Sequence, residues 1–104
     1  MTADWLDIGW LDQIPVRGSR TVPVAGGEEI AVFRTGDNQV FALVNRCPHK
    51  GGPLADGLTD EQVVVCPLHS MTYDLCTGEE VSGSGLSVRS YTVSAVDGTI
   101  RISS

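Results

Sequence analysis

Short apolar runs separated by glycine-rich or acidic turns recur along this chain, which is typical of β-strands. We predict strands over residues 5–10, 20–25, 30–33, 40–44, 62–65, 90–96 and 99–102. Pro23 makes the second run an edge strand, because proline cannot donate to a central ladder. Gly36-Asp37-Asn38 and Asp97-Gly98 have hairpin composition. No long amphipathic helical pattern is present, so the fold class predicted is all-β.

The order of these runs predicts an antiparallel β sandwich or barrel with a small inserted lobe at residues 45–80. With 104 residues, the chain is predicted to form one domain, residues 1–104, too small for a catalytic domain beside it. Trp5 and Trp10 are expected to pack in the core rather than to form a docking surface.

Two short segments carry the candidate chemistry, Cys47-Pro48-His49 and Cys66-Pro67-Leu68-His69. Each offers a thiol and an imidazole within one tight turn, and each follows an apolar run. Mononuclear zinc accepts two sulfurs and two nitrogens, although the order here alternates, unlike that of zinc fingers. A [2Fe-2S] cluster also accepts this set, with two thiolates on one iron and two imidazoles on the other. The residues themselves therefore indicate a metal centre of one of these two kinds.

The run Cys47-Pro48-His49-Lys50-Gly51-Gly52-Pro53-Leu54, followed by the Cys66–His69 segment and by Tyr73-Asp74, resembles a Rieske iron–sulfur domain. Within that family it is most similar to the small subunit of assimilatory NAD(P)H-dependent nitrite reductases. Ferredoxins of ring-hydroxylating dioxygenases share the same fold and ligand pattern. The resemblance extends through the flanking strands to nearly the whole chain.

This resemblance implies one [2Fe-2S] Rieske cluster, with Cys47 and Cys66 on one iron and His49 and His69 on the other. The residues expected around the cluster are Lys50, Gly51, Gly52, Pro67, Leu68, Met71 and Tyr73. By its position, Tyr73 is expected either to donate its hydroxyl to a ligand sulfur or to be a core aromatic in a strand.

The chain departs from the Rieske proteins of cytochrome bc complexes at positions around the cluster. Those proteins have a disulfide between the ligand loops, where this chain has Gly51 and Leu68, and a serine where this chain has Met71. Fewer hydrogen bonds to sulfur stabilise the reduced cluster less. We therefore predict a midpoint in the lower part of the Rieske range of about −150 to +300 mV.

The predicted function is one-electron transfer, with the substrate chemistry in a partner protein. The chain shows no glycine-rich dinucleotide loop and no Ser-His-Asp set. By resemblance, the partner is a nitrite reductase large subunit that binds NAD(P)H, FAD, sirohaem and a four-iron cluster. Two alternatives stay open: a ferredoxin that serves a reductase and a ring-hydroxylating dioxygenase or other oxygenase, and a zinc-stabilised binding module without redox function.

The net charge and the cysteines limit which binding partners and which cellular compartment are expected. A formal net charge of −6 disfavours binding to nucleic acid or to anionic membranes. Three cysteines cannot all pair, and two stand in ligand positions, which fits a reducing compartment. Cys76 is expected to have a packing role rather than a redox role. No export signal or membrane anchor is recognisable, so a cytoplasmic protein is expected.

Overall fold

The computed structural model describes residues 5–23, 29–48, 52–67 and 71–103, and it is all-β in these ranges. The strands are β1 (Leu6–Trp10), β2 (Ser19–Pro23), β3 (Glu29–Arg34), β4 (Val40–Val44), β5 (Leu58–Asp60), β6 (Val63–Val65), β7 (Thr72–Asp74), β8 (Ser90–Val96) and β9 (Thr99–Ser103). Two short 3₁₀ helices cover Leu11–Gln13 and Leu54–Asp56. In the described ranges, no helix has the length and apolar character that crossing a bilayer requires. The predicted fold class is confirmed.

The larger sheet has six antiparallel strands in the order β1-β9-β8-β4-β3-β2. Its two edge strands are joined through the side chain of Arg20, on β2. One guanidinium nitrogen donates to the carbonyl oxygen of Ile8, on β1, at 2.7 Å, and to Gln13 Oε1 at 2.9 Å. The sheet therefore approaches a closed barrel, with a side-chain contact where a backbone ladder would complete it.

Strand β3 is buried on both faces, which explains its uninterrupted apolar sequence. Ile30 and Val32 point into the core enclosed by the six-stranded sheet. Ala31 and Phe33 point the other way, into a second core that also contains both candidate ligand cysteines. Strand β3 of the larger sheet and the two candidate ligand cysteines thus pack in the same core.

The smaller sheet, in the order β5-β6-β7, lies within the lobe predicted at residues 45–80. The 3₁₀ helix that precedes β5 is tied to the larger sheet at Ala55. The Ala55 N–H donates to Asn45 Oδ1 at 2.8 Å, and the Ser19 hydroxyl donates to the Ala55 carbonyl oxygen at 2.7 Å. These two bonds fix the lobe against the ends of β2 and β4.

Most predicted strands are present with boundaries shifted by one or two residues, and β4 and β8 match the predicted ranges. Pro23 does lie on an edge strand. Strands β5 and β7 are not among the predicted runs, because each has only three residues, and those of β5 lie between two acidic turn signals and make no strand pattern alone. Residues 24 and 25 of the second predicted run lie outside the described residues.

The prediction that both tryptophans pack in the core is wrong. Trp5 is 45 % exposed and Trp10 is 57 % exposed. Both flank or end β1, an edge strand on which Ile8 is the buried position. The pairing of β1 with β9 has an irregularity between Asp7 and Gly9, which interrupts the alternation of buried and exposed positions along the strand. Ile8 is therefore buried while Trp10, two positions later, is exposed.

Candidate metal centre

The two segments that carry the candidate ligands are closed in the same way. The Cys47 N–H donates to the Gly52 carbonyl oxygen at 2.7 Å, and the Cys66 N–H donates to the Met71 carbonyl oxygen at 2.7 Å. Each loop is thus pinned from its cysteine to the fifth residue after it, and each follows a strand of the fold, β4 or β6. His49 and His69 lie inside these loops but outside the described residues, as do Lys50, Gly51 and Leu68.

Both candidate ligand cysteines are buried in one apolar cluster. Cys47 is 0 % exposed and Cys66 is 2 % exposed, and both pack in the core that contains Leu54 and Tyr73. Met71 is half-buried against the same core. A shell of this kind excludes water and lowers the local dielectric constant around whatever the thiolates bind. Leu54 and Met71 are part of this shell.

Tyr73 combines the two roles between which the sequence could not choose. Its ring is fully buried in β7, and its hydroxyl oxygen lies 3.3 Å from Cys47 Sγ. Burial, together with the contact to Cys47, raises the pKa of the Tyr73 hydroxyl far above its ordinary value. The hydroxyl therefore keeps its proton, and beside a metal-bound thiolate it is the hydrogen-bond donor.

Replacing Tyr73 with phenylalanine is expected to lower the reduction potential of the centre. The change removes one donor to sulfur, and such a bond stabilises the more negative reduced state more than the oxidised state. A differential of about 1 kcal/mol, typical of one hydrogen bond, corresponds to about 40 mV for one electron. A redox titration of the Y73F variant measures this shift.

Tyr91→Phe is the matched control, because the ring of Tyr91, on β8, lies 5.0 Å below the guanidinium of Arg89, the residue before that strand. Its potential should equal that of the unaltered protein. Equal potentials for the Tyr73 and Tyr91 variants would show that the Tyr73 hydroxyl does not act on the centre.

Glu80 is a buried carboxylate next to this site. It is 7 % exposed and forms an antiparallel bridge with Tyr73. Its Oε1 accepts bonds from the Ser82 hydroxyl, from the Ser82 N–H at 3.1 Å and from the Ser84 N–H at 3.4 Å. The hydrogen bond from the Ser82 side chain is the largest of the effects that lower the pKa of Glu80 to about 2. The ionised carboxylate therefore organises the segment that follows the smaller sheet.

Glu80→Gln is expected to destabilise the fold in a pH-dependent way. A carboxyl whose pKa falls from 4.5 to about 2 on folding stabilises the folded state above pH 4.5, and this contribution is lost as the pH falls towards 2. The difference in free energy of unfolding between the native and E80Q proteins should thus be largest near pH 7 and shrink between pH 4.5 and 2. Denaturant titrations across this range measure it. A difference independent of pH would contradict the role of the charge.

The donor chemistry of the described residues fits an iron–sulfur centre. Two thiols lie in one water-excluding core with a buried tyrosine whose hydroxyl contacts one of them, and thiolates are the protein ligands that iron–sulfur clusters prefer. Within the described ranges no group of three His, Cys, Asp or Glu side chains meets as a metal site.

A small antiparallel barrel with two buried thiols in one core, one of them against a tyrosine hydroxyl, is the arrangement of an iron–sulfur electron carrier. Residues 4–103 match the family of the Rieske-like [2Fe-2S] domain, and the chain belongs to that family. It therefore carries a [2Fe-2S] cluster, which stores one electron at a time. The zinc-module alternative left open by the ligand residues is set aside by this match.

Relatives come from two functional groups. The chain is 34 % identical to an anthranilate 1,2-dioxygenase ferredoxin subunit of Burkholderia cepacia over 96 % of this chain and 92 % of that one. Among solved structures, the NirD protein of E. coli is 27 % identical, with a TM-score of 0.85 over 99 % of this chain and 98 % of that one. A Mycobacterium tuberculosis protein described as an NADH-dependent nitrite reductase small subunit superposes with a TM-score of 0.90 over 100 % and 97 % of the two chains. At 21 % identity, this last likeness shows the fold alone.

Cys76 does not have the packing role expected of it. It is exposed, in the turn after β7, where its N–H donates to Asp74 Oδ1 at 2.8 Å. Asp74 Oδ1 also accepts from the Thr77 N–H at 3.0 Å, and this turn directs the thiol outward. Sequence pattern could not show this, because the turn follows from the aspartate side chain rather than from hydrophobic periodicity.

Proposed function

We propose that this chain is the electron-carrying small subunit of an NAD(P)H-dependent nitrite reductase, which converts nitrite to ammonium in its large subunit. The observation that carries the proposal is the first ligand loop, Cys47-Pro48-His49-Lys50-Gly51-Gly52-Pro53-Leu54, which most resembles this subfamily. Support also comes from the likeness to NirD, which extends over almost the full length of both chains.

Within this proposal, Cys47 and Cys66 hold one iron of the cluster, and His49 and His69 hold the other. The geometry of the described part supports the cysteine half of the set, because both thiols lie in one buried core around Tyr73. The common closure of the two loops supports the histidine half, since it leaves each histidine in a loop pinned at both ends. In Rieske centres, two neutral imidazoles replace two cysteines on one iron, and this replacement distinguishes them from ferredoxins with four cysteine ligands.

The second candidate is a ferredoxin component that passes electrons from a reductase to a ring-hydroxylating dioxygenase or other oxygenase. It is favoured by the higher overall sequence identity to the anthranilate dioxygenase ferredoxin subunit. Both candidates use the same fold and cluster, and they differ in the protein that accepts the electron. In either case, a cytoplasmic location is consistent with the exposed thiol of Cys76, which forms no disulfide.

Reconstitution with each type of partner tests the choice. The cluster-loaded protein is added to the nitrite reductase large subunit from the same genome with NAD(P)H and nitrite, and in parallel to a ferredoxin-dependent oxygenase with its reductase and aromatic substrate. We expect ammonium formation to depend on the added chain. If the chain instead supports oxygenase turnover and leaves nitrite reduction unchanged, the ferredoxin function replaces the first.

A further inference from the structure

The outer surface of the smaller sheet carries an apolar row next to the second ligand loop. Leu58 pairs with Val65, Val65 pairs with Thr72, and the Val81 N–H donates to the Thr72 carbonyl oxygen at 2.9 Å. Residues paired in this way point to the same face of a sheet. Leu58 is 75 % exposed and Val81 is 56 % exposed, so two branched apolar side chains of this row stand in solvent. We call these four residues the apolar row.

A second row on the same face is acidic. Asp60 pairs with Val63, Val63 pairs with Asp74, and the Asp74 N–H donates to the Glu79 carbonyl oxygen at 2.8 Å. These residues lie two positions along each strand from the apolar row, and positions two apart share a face. We call Asp60, Val63, Asp74 and Glu79 the acidic row. The residues between the rows, among them Val64, Tyr73 and Glu80, are buried on the opposite face.

The apolar row borders the metal centre, and the acidic row lies farther away. Val65 directly precedes Cys66, and Thr72 directly follows Met71, whose carbonyl oxygen closes the second ligand loop. A protein seated on the apolar row is therefore held beside the loop that carries Cys66. Short separation between redox centres is what electron transfer between proteins requires.

The net charge of the molecule is concentrated in this part of the chain. Residues 51–88 contain six of the thirteen acidic residues and none of the seven lysines and arginines. The segment therefore accounts for the whole formal net charge of −6, and the acidic and basic residues elsewhere balance. The lobe at residues 45–80 also contains Arg46 and Lys50, so its six acidic and two basic residues give it a net charge of −4. A lobe of net negative charge orients an approaching partner of opposite charge and raises its association rate.

We propose that this outer face, made of the apolar row and the acidic row, docks the redox partner protein, which presents an apolar patch bordered by lysines and arginines. Exposed apolar side chains with a charged border are the pattern of a protein interaction surface. The apolar contact gives affinity near the centre, and the acidic row sets orientation and encounter rate. The proposal rests on the proposed function only in that the electron passes to a separate protein.

Two pairs of substitutions test the two rows. Leu58→Ser with Val81→Ser removes exposed apolar surface, and Asp60→Asn with Glu79→Gln removes charge; all four residues are exposed, so folding should be preserved. Val96→Ser and Asp97→Asn are the controls. Val96 is 62 % exposed at the end of β8 remote from the ligand loops, and Asp97 has φ 53°, a conformation that asparagine adopts readily.

Two electron acceptors give the readouts: the partner that reconstitutes activity, and ferricytochrome c, a basic protein. The carrier is reduced beforehand with dithionite and freed of excess reductant, and one electron then passes to each acceptor molecule. For the L58S/V81S variant we expect about a tenfold rise in the partner concentration that gives half-maximal transfer. For D60N/E79Q we expect the second-order rate constant for both acceptors to fall about threefold or more at low ionic strength, with a weaker salt dependence.

Midpoint potential and visible spectrum, measured for every variant, establish that the cluster is unaltered. If the row variants transfer electrons at the rates of the V96S and D97N controls, the docking face is wrong, even where the partner itself is active. If neither tested partner is active but D60N/E79Q alone slows cytochrome c reduction, the proposed function fails and the acidic part of the docking face stands.

Discussion

Cys47→Ser and Cys66→Ser are each expected to lose nearly all bound iron and sulfide. Both thiols lie in the same water-excluding core, so a missing ligand can be replaced neither by water nor by another described thiol. Serine is similar in size to cysteine but is a poor ligand for a cluster that prefers soft sulfur donors. Iron and sulfide content, together with visible absorption, measure the loss in the purified variants.

Cys76→Ser is the matched control for this prediction. Cys76 is exposed in the turn after β7 and takes no part in the buried core, so this variant should hold a full cluster.

His69→Ala, or His69→Cys, should abolish the Rieske electron paramagnetic resonance signal, because the second iron loses an imidazole. An unchanged signal in a His69 variant would exclude that residue as a ligand, and full iron content in a Cys47 or Cys66 variant would overturn the cysteine assignment.

Gly57→Ala is expected to have the next largest effect on the cluster, although Gly57 is not a ligand. A Cβ on Gly57 would lie 2.1 Å from the carbonyl oxygen of Val65, the residue before Cys66. Gly57 also donates its N–H to the Leu54 carbonyl oxygen at 2.9 Å, at the end of the 3₁₀ helix that follows the first ligand loop. This close approach sets the spacing between the segment after the first loop and the strand before the second.

The backbone on both sides must separate by about 1 Å to admit the methyl group, whereas ligand sets tolerate about 0.5 Å. We therefore expect a reduced cluster content and a free energy of unfolding lower by about 1–3 kcal/mol, the usual cost of overpacking. Iron content and denaturant titration measure the two effects.

Gly36→Ala is the matched control for Gly57. Its Cβ would meet the side chain of Arg17 at 2.9 Å, and a surface arginine can move aside where a backbone carbonyl cannot. This variant should keep its cluster and nearly all of its stability. A G57A protein with full iron content and an unchanged spectrum would show that the Gly57 contact does not set the spacing of the loops.

The strands of the larger sheet were predictable because hydrophobic pattern and turn composition are local properties. Residues 40–44 and 90–96 are apolar or alternating runs bounded by polar turns, and both fold as predicted. Strand β5 could not be found in this way. Its three residues are a strand because they pair with β6, and such pairing depends on residues distant along the chain.

The errors have the same origin. Trp10 is large and apolar, which favours burial, but its strand is at the edge of the sheet and leaves the ring exposed. Cys76 is small and apolar, but the side chain of Asp74 accepts a hydrogen bond from its N–H and stabilises a turn that directs the thiol outward. In both cases a residue's burial depended on its place in the assembled sheet rather than on its own hydrophobicity.

The sequence by itself determined the chemistry of this protein: a cysteine and a histidine in each of two loops, each loop preceded by an apolar strand. The type of metal ligand is a property of the side chain, so it can be identified from the sequence without knowledge of the fold. Only the tertiary structure decided how that chemistry is held. It placed the Tyr73 hydroxyl on Cys47, seated Gly57 against Val65, and assembled an apolar and an acidic row on one outer face. These contacts join residues distant in sequence, and strand pairing and packing are what bring them together.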